Sequence, residues 1–578
     1  MKMRYSFSRS LAIERSWPFF VDLTVAMGLL AGFYAVLQIG RYWLSGAVPE
    51  VEISQSPAKL PIYAFYSCVR IGVAYLLSLL FAVGYGYIAA YNKRVEALMI
   101  ATLDILQSIP VLSFLPGVML AMMSLIPSRQ LGIEFGAILL IFTGQVWNMA
   151  FSFYSSLKSI PRELNEACTI NRFSPWQKLW QLELPYAAIG LVWNSMVSVA
   201  GGWFFLMVCE MFPVGNRNFR LPGLGSYLQT AASTGNTQAM VYGLITMVAI
   251  IVLTDQLIWR PVIDWSDKFK FENVETAERV KSPVLAALRQ SNVLNVIQRR
   301  TFVPLSEHVY HYIARRSQRR ESIQAESRKQ SNPIVMVILA ILVAGLICFA
   351  AFKAVLLLRQ VPRSEFGTLL EGAMTTFLRV NVSLLLAAAW TIPTGVAIGF
   401  NPKLAKIAQP LAQIAASFPA TALFPVILLG LMKLGAGLGI GSIALMMLGT
   451  QWYILFNVIA GAMAIPSEMR EVAKLFHFTS LQRWTTVILP GIFPFLITGL
   501  ITASGGAWNA SIIAEYFHLK DQTLHTLGLG AQISEASDAG NFPVLLLATI
   551  IMALMVVTIN RLVWRPLYKL AETKYRLD

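Results

Sequence analysis

Twelve stretches of this chain are apolar enough and long enough to cross a bilayer as helices, which takes about 20 residues. They fall near 19–41, 62–91, 97–125, 134–157, 184–210 and 237–261, and again near 333–358, 366–400, 405–432, 438–461, 489–515 and 541–563. The pattern predicts an all-α integral membrane protein of two six-helix halves. The halves repeat in detail. Ile160-Pro161-Arg162-Glu163-Leu164-Asn165-Glu166-Ala167 returns as Ile465-Pro466-Ser467-Glu468-Met469-Arg470-Glu471-Val472, at an offset of 466 − 161 = 305. At that offset Trp203 maps to Trp508, Glu210 to Glu515, and Trp259-Arg260-Pro261 to Trp564-Arg565-Pro566. Earlier in each half the offset is 379 − 70 = 309, which pairs Arg70 with Arg379 and Pro110 with Pro419. The expected division is 1–60 for the first span and its outer loop, 61–265 for the first repeat, 266–332 for a basic linker, 333–365 for the seventh span and its loop, and 366–578 for the second repeat.

Charge sets the orientation. Loops on the inner side of a membrane gather Lys and Arg. With the N-terminus inside, Lys93-Arg94, the 158–178 segment, the 260–329 segment, Lys403, Lys406, the 466–485 segment and the tail all lie inside. Six spans per half is an even number, so both halves insert the same way, related by a pseudo-two-fold axis along the membrane normal. The expected location is the inner (plasma) membrane, multi-pass, with both termini cytoplasmic. The whole chain is 56% hydrophobic, 13% charged and carries a net charge of +16. That charge follows from the inner loops and the linker, whose cations suit anionic lipid headgroups; nucleic acid is not expected. Four cysteines have no framework spacing, and His308 and His311 form no cluster, so neither disulfides nor a metal is expected.

Each half carries a polar helix between spans, beginning at Pro161 and Pro466. Proline suits a first helical turn, and Glu163 and Glu166 suit the helix dipole there. These blocks resemble the cytoplasmic loop motif of permeases in binding-protein-dependent ABC importers: Glu-Ala-Ala, a Gly six residues after the Glu, then an apolar residue and Leu-Pro. Glu166, Ala167 and Cys168 fill the first slots, with Leu182 and Leu184-Pro185 as the tail. Glu471, Val472 and Ala473, then Val487 and Leu489-Pro490, repeat it. Arg172 and His477 stand in the Gly slot, which demands either a left-handed backbone or a different turn. The stretches from Trp203 through Phe212 and from Trp508 through Phe517 resemble the nitrate/sulfonate/taurine-type branch. The resemblance implies a type I ABC importer permease with both halves fused. It further implies two ABC ATPase subunits docked on Glu163, Glu166, Ala167, Arg172, Glu468, Glu471, Val472 and His477. An extracytoplasmic substrate-binding protein would deliver a small anion (nitrate, a sulfonate such as taurine, or bicarbonate). No Gly-x-x-x-x-Gly-Lys-Ser/Thr occurs, so the chain itself is not expected to bind ATP, to hold a cofactor or to act as an enzyme. An ion-coupled secondary transporter with parallel repeats is the alternative reading.

Ionisable groups at membrane depth are expensive and face a protein interior. Arg70 and Arg379, Glu210 and Glu515, and Trp203 and Trp508 recur as pairs. Two uses fit them: lining a shared pathway, where the arginines would suit an anion, or structural ion pairs, outer-gate contacts and packing.

Overall fold

In a computed structural model the described residues are 52–269 and 354–574, apart from a few positions at turns, together with Pro283–Gln290 and scattered positions between 300 and 352. The expected span at 19–41, most of that at 333–358, and His308 and His311 lie outside the described residues. The described part of the first half runs α1 (Leu60–Tyr91), α2 (Glu96–Ser108), α3 (Leu115–Leu125), α4 (Arg129–Lys158), α5 (Arg162–Ile170) and α6 (Pro175–Cys209). A hairpin of β1 (Met211–Val214) and β2 (Arg217–Arg220), α7 (Leu224–Ser233) and α8 (Thr237–Ser266) complete it. After α9 (Pro283–Gln290), the second half repeats the order as α10 (Arg363–Phe400), α11 (Pro402–Ala416), α12 (Ala420–Lys433), α13 (Leu438–Ala464), α14 (Ser467–Leu475) and α15 (Ser480–Ala514). There follow β3 (Tyr516–Leu519), β4 (Gln522–His525), α16 (Leu529–Asp538) and α17 (Phe542–Ala571). Among the described residues eight helices are long and apolar enough to span a membrane, four per half.

Two expected spans are corrected. The runs 97–125 and 405–432 are not continuous helices; each is two helices broken ahead of Pro110 and Pro419. Proline cannot donate to the preceding turn and pushes the residue before it out of the helical region. The expected spans at 184–210 and 489–515 begin earlier, at Pro175 and Ser480. Each passes through a π turn, Leu179–Glu183 and Trp484–Ile488. A matching pair lies in α8 and α17, Asp255–Trp259 and Asn560–Trp564. All four π turns end two residues before a proline (Pro185, Pro490, Pro261, Pro566). Widening the turn to i→i+5 bonding relieves the clash and the missing donor without ending the helix.

Close packing of α1 on α4, and of α10 on α13, depends on a repeated glycine. A Cβ on Gly86 would stand 2.9 Å from Phe153, and one on Gly395 would stand 2.8 Å from Val458. The halves meet along α6, α15 and the broken segments. The Val111 N–H donates to Asn509 Oδ1 at 2.8 Å, and the Thr549 hydroxyl to the Ser113 carbonyl at 3.3 Å. Each hairpin touches the short helix of the other half, β1 against α16 and β3 against α7.

Candidate functional site

The polar helices α5 and α14 are built alike. Each begins after a proline in extended conformation, Pro161 and Pro466. Inward-facing residues at i and i+4 hold α5 to the bundle: Leu164 and buried Cys168 pack with Leu157, Ile160 and Leu182. In α14 the buried residue is Ala473. Glu163, Glu166 and Ala167, and likewise Glu468, Glu471 and Val472, face outward and are exposed.

Arg172 and His477 adopt φ of 53° and 50°, the only non-glycine residues with positive φ among the described residues. The helices end in Schellman motifs. Arg172 N–H donates to Thr169 and Phe173 N–H to the Cys168 carbonyl; His477 and Phe478 do the same to Lys474 and Ala473. The next helix starts at once from a capping box, Ser174 with Gln177 and Thr479 with Gln482. A left-handed non-glycine residue costs of order 1–3 kcal/mol, whereas glycine adds about 0.5–1 kcal/mol of unfolded-state entropy. Arg172→Gly is therefore expected to be neutral to mildly stabilising, and Arg172→Val destabilising by roughly 2 kcal/mol. Thermal unfolding of the solubilised protein checks both.

Sequence reasoning missed the ties from these loops to the bundle. In the first half Lys178 Nζ lies 3.5 Å from buried Glu183 Oε1 and 3.1 Å from the Tyr91 hydroxyl, which itself donates to Glu183 at 2.5 Å. In the second half the Arg470 guanidinium instead sits 5.1 Å from the centre of the Phe400 ring. Tyr91 maps to Phe400, but Glu183 maps to Ile488, so the repeat hid the polar cluster. Lys158 also binds Glu96 at 2.7 Å. That hydrogen bond, with one from Tyr154, holds the Glu96 carboxyl below the usual range. Exposed apolar side chains were missed too. Ile170 is 80% exposed and its counterpart Leu475 76%, with Phe476 beside it.

The repeated ionisable residues meet at the opposite end of the bundle. Arg70 is fully buried. Its Nε and Nη2 bind Glu134 at 2.6 and 2.7 Å, and its Nη1 binds Glu210 at 2.7 Å and the Pro222 carbonyl at 2.9 Å. Glu210 also accepts from Ser67 at 2.6 Å and from Gly225 N–H at 2.7 Å. In the second half Arg379 binds Glu515 at 3.0 Å, the Leu527 carbonyl at 2.6 Å and Thr526 at 2.9 Å. Thr376 and Gly530 N–H, each at 2.9 Å, complete Glu515. Gly223 and Gly528 permit the approach, since a Cβ at either would collide with the carboxylate. Glu134 maps to Gly439, so only the first half has a third charge. These groups brace the first helix of each half against the segment after its hairpin. Trp203 and Trp508 are also buried, 3% and 1% exposed. Of the six residues considered for a pathway, only Arg379 keeps partial exposure, 13% of its side chain.

Two segments, residues 82–258 and 391–565, match the family described as binding-protein-dependent transport system inner membrane component, together more than half of the chain. The nitrate import permease protein of Leptolyngbya laminosa is 28% identical over 185 residues, 32% of this chain and 63% of that protein. The bicarbonate transport system permease protein of Synechocystis sp. is 30% identical over 137 residues, 24% of this chain and 48% of that protein. The taurine transport system permease protein of Escherichia coli is 27% identical over 173 residues, 30% of this chain and 59% of that protein. In all three cases the chain spans less than two thirds of the relative's length.

Proposed function

This chain belongs to the family of binding-protein-dependent transport system inner membrane components, and on that premise we propose that it forms the whole translocation unit of an ATP-driven importer. Both halves of the permease lie in one polypeptide. One ATPase subunit grips α5 and a second grips α14, on the cytoplasmic side of the inner membrane with both termini. An extracytoplasmic binding protein delivers solute at the opposite end, over the hairpins, α7 and α16. The solute is a small anion of the nitrate, sulfonate or bicarbonate class, as the names of the relatives suggest. Arg70, Glu210, Arg379 and Glu515 keep the outer ends of the two halves rigid, with Trp203 and Trp508 packed behind them.

The observation that carries this reading is the twinned construction of α5 and α14. Each is an exposed helix joined stiffly at both ends, by a proline turn on one side and a Schellman motif with a capping box on the other. A motor that draws two such levers together moves the spans attached to them. A flexible loop would absorb that motion instead. Exposed Ile170, Leu475 and Phe476 give the levers the apolar patch that a protein partner covers.

The test is uptake into proteoliposomes of nitrate, bicarbonate or taurine, with the chain, an ATPase pair and a binding protein. Uptake is expected to require ATP and all components. Uptake by the chain alone, driven by a proton or sodium gradient, would replace this reading with a secondary transporter.

A further inference from the structure

The outer end of the first half is sealed by ion pairs, but its other end is open and polar. A cavity of about 430 Å³ is lined by Gln107 on α2, by Asn148, Phe151, Ser152, Ser155 and Ser156 on α4, and by Asn194 on α6. Positions 148, 152, 155 and 159 on α4 share one helix face. At 1.5 Å per residue they make a row about 16 Å long. None of these side chains is charged. Gly190 leaves the space: a Cβ there would stand 3.1 Å from Ser152 Oγ and 3.4 Å from Ser156 Oγ. Ser78 and Thr450, on neighbouring spans, return their hydroxyls to their own helix at 2.8 and 2.7 Å. The hydroxyls of Ser152, Ser155 and Ser156 form no hydrogen bond with a described residue. At membrane depth such a group needs water or a polar solute.

The second half has lost most of this row. Asn148 maps to Tyr453, Ser155 and Ser156 to Ala460 and Gly461, Asn194 to Gly499 and Gln107 to Ala416. Gly190 maps to Phe495, which packs on Gly461 so closely that a Cβ there would meet it at 3.0 Å. Ser152 maps to Asn457, whose amide donates to the Tyr453 carbonyl of its own helix at 2.8 Å, as Asn194 does to the Gly190 carbonyl at 2.9 Å. A small-residue gap beside serines has become an aromatic ring on a glycine.

The row faces the seam between the halves. Asn194 lies two helical turns from Gly201 on the same face of α6, and a Cβ on Gly201 would stand 3.9 Å from the Tyr453 hydroxyl. Gln107 stands just before Val111, which bonds Asn509 of the other half. Ser159, also on the cavity wall, adjoins Pro161 at the start of α5.

We propose that this row is the inner stretch of the solute path and that the first half alone supplies it. A small oxyanion exchanges hydration water for hydroxyl and carboxamide donors, while the second half offers an apolar wall. With no fixed cation the hold is weak, as passage requires. The inference rests on the transport reading above, but its test does not need transport.

Single cysteines at Ser152 and Ser155, and at Asn457 and Ala460, are placed in the full chain and treated with 2-sulfonatoethyl methanethiosulfonate in inside-out membrane vesicles, with rates corrected for the native cysteines. The charged reagent reacts with the thiolate, so labelling reports contact with water rather than with lipid; Ser152→Cys and Ser155→Cys should react roughly tenfold faster than the second-half pair, whose positions are equally exposed but lie in an apolar wall. Adding Gly190→Phe should bring Ser155→Cys down to the second-half rate. Equal labelling of the two halves, or no labelling of the first, overturns the inference even where ATP-driven uptake persists. Labelling confined to right-side-out vesicles overturns the orientation of the transport reading itself.

Discussion

Arg70→Met is expected to strip most of the protein from the membrane. Methionine fills the length of the side chain but leaves two carboxylates, Glu134 and Glu210, enclosed without a counter-charge. Breaking a buried pair from one side costs about 3–5 kcal/mol, a large share of a typical folding free energy of roughly 5–15 kcal/mol. Arg379→Met should cost about half as much. It strands one carboxylate, Glu515, which keeps the Thr376 hydroxyl and Gly530 N–H as donors. Membrane abundance and the thermal midpoint of the solubilised protein give the comparison. Glu134→Gln added to Arg70→Met should restore part of the loss by removing one stranded charge. No recovery would mean that the guanidinium acts through packing rather than charge.

The repeat made Arg70 and Glu210 legible, because each has a like partner 309 or 305 residues on. It also hid Glu134, whose counterpart is Gly439, so the strongest contact of Arg70 carried no signal. The same logic explains what was read of the pathway. Charge at membrane depth stands out in a sequence, yet a charge in that setting is held by an opposite charge, so inspection for charges finds braces. Ser152, Ser155 and Ser156 do not stand out, since serine is ordinary in spans; only their packing beside Gly190 distinguishes them. Apolar runs located the spans well, Leu60–Tyr91 against an expected 62–91. They missed the breaks before Pro110 and Pro419, because a broken apolar helix is still apolar. The hairpins fell in stretches read as loops, since four-residue strands are too short to show alternation. The turn after α5 was undecided between two backbones. The φ of Arg172 and His477 settles it, and the hydrogen bonds of the Schellman motif show what offsets the strain.

Charge reversal on the levers should do the opposite of Arg70→Met: normal abundance with little transport. Glu166 and Glu471 are exposed and their side chains brace nothing among the described residues, so Glu166→Lys and Glu471→Lys should change stability by less than about 0.5 kcal/mol. On the proposed reading their effect falls on the ATPase partner. A like charge set against a docking groove costs several kcal/mol, and each 1.4 kcal/mol is tenfold in affinity. ATP-driven uptake should therefore fall at least about tenfold for either variant, with a matching loss of ATPase in co-purification. The two levers should not respond equally. Around Glu471 stand Met469, Val472, Leu475 and Phe476, all exposed; around Glu166 the corresponding positions are Leu164, Ala167, Ile170 and Asn171, of which only Ile170 is a large exposed apolar side chain. Apolar burial at about 25 cal/mol per Å² gives α14 a hold that survives loss of a polar contact. Glu166→Lys should thus be the more severe of the pair, and Leu475→Asp should be needed to release α14 as fully. Full uptake by both charge-reversal variants at wild-type abundance would remove α5 and α14 from the drive train altogether.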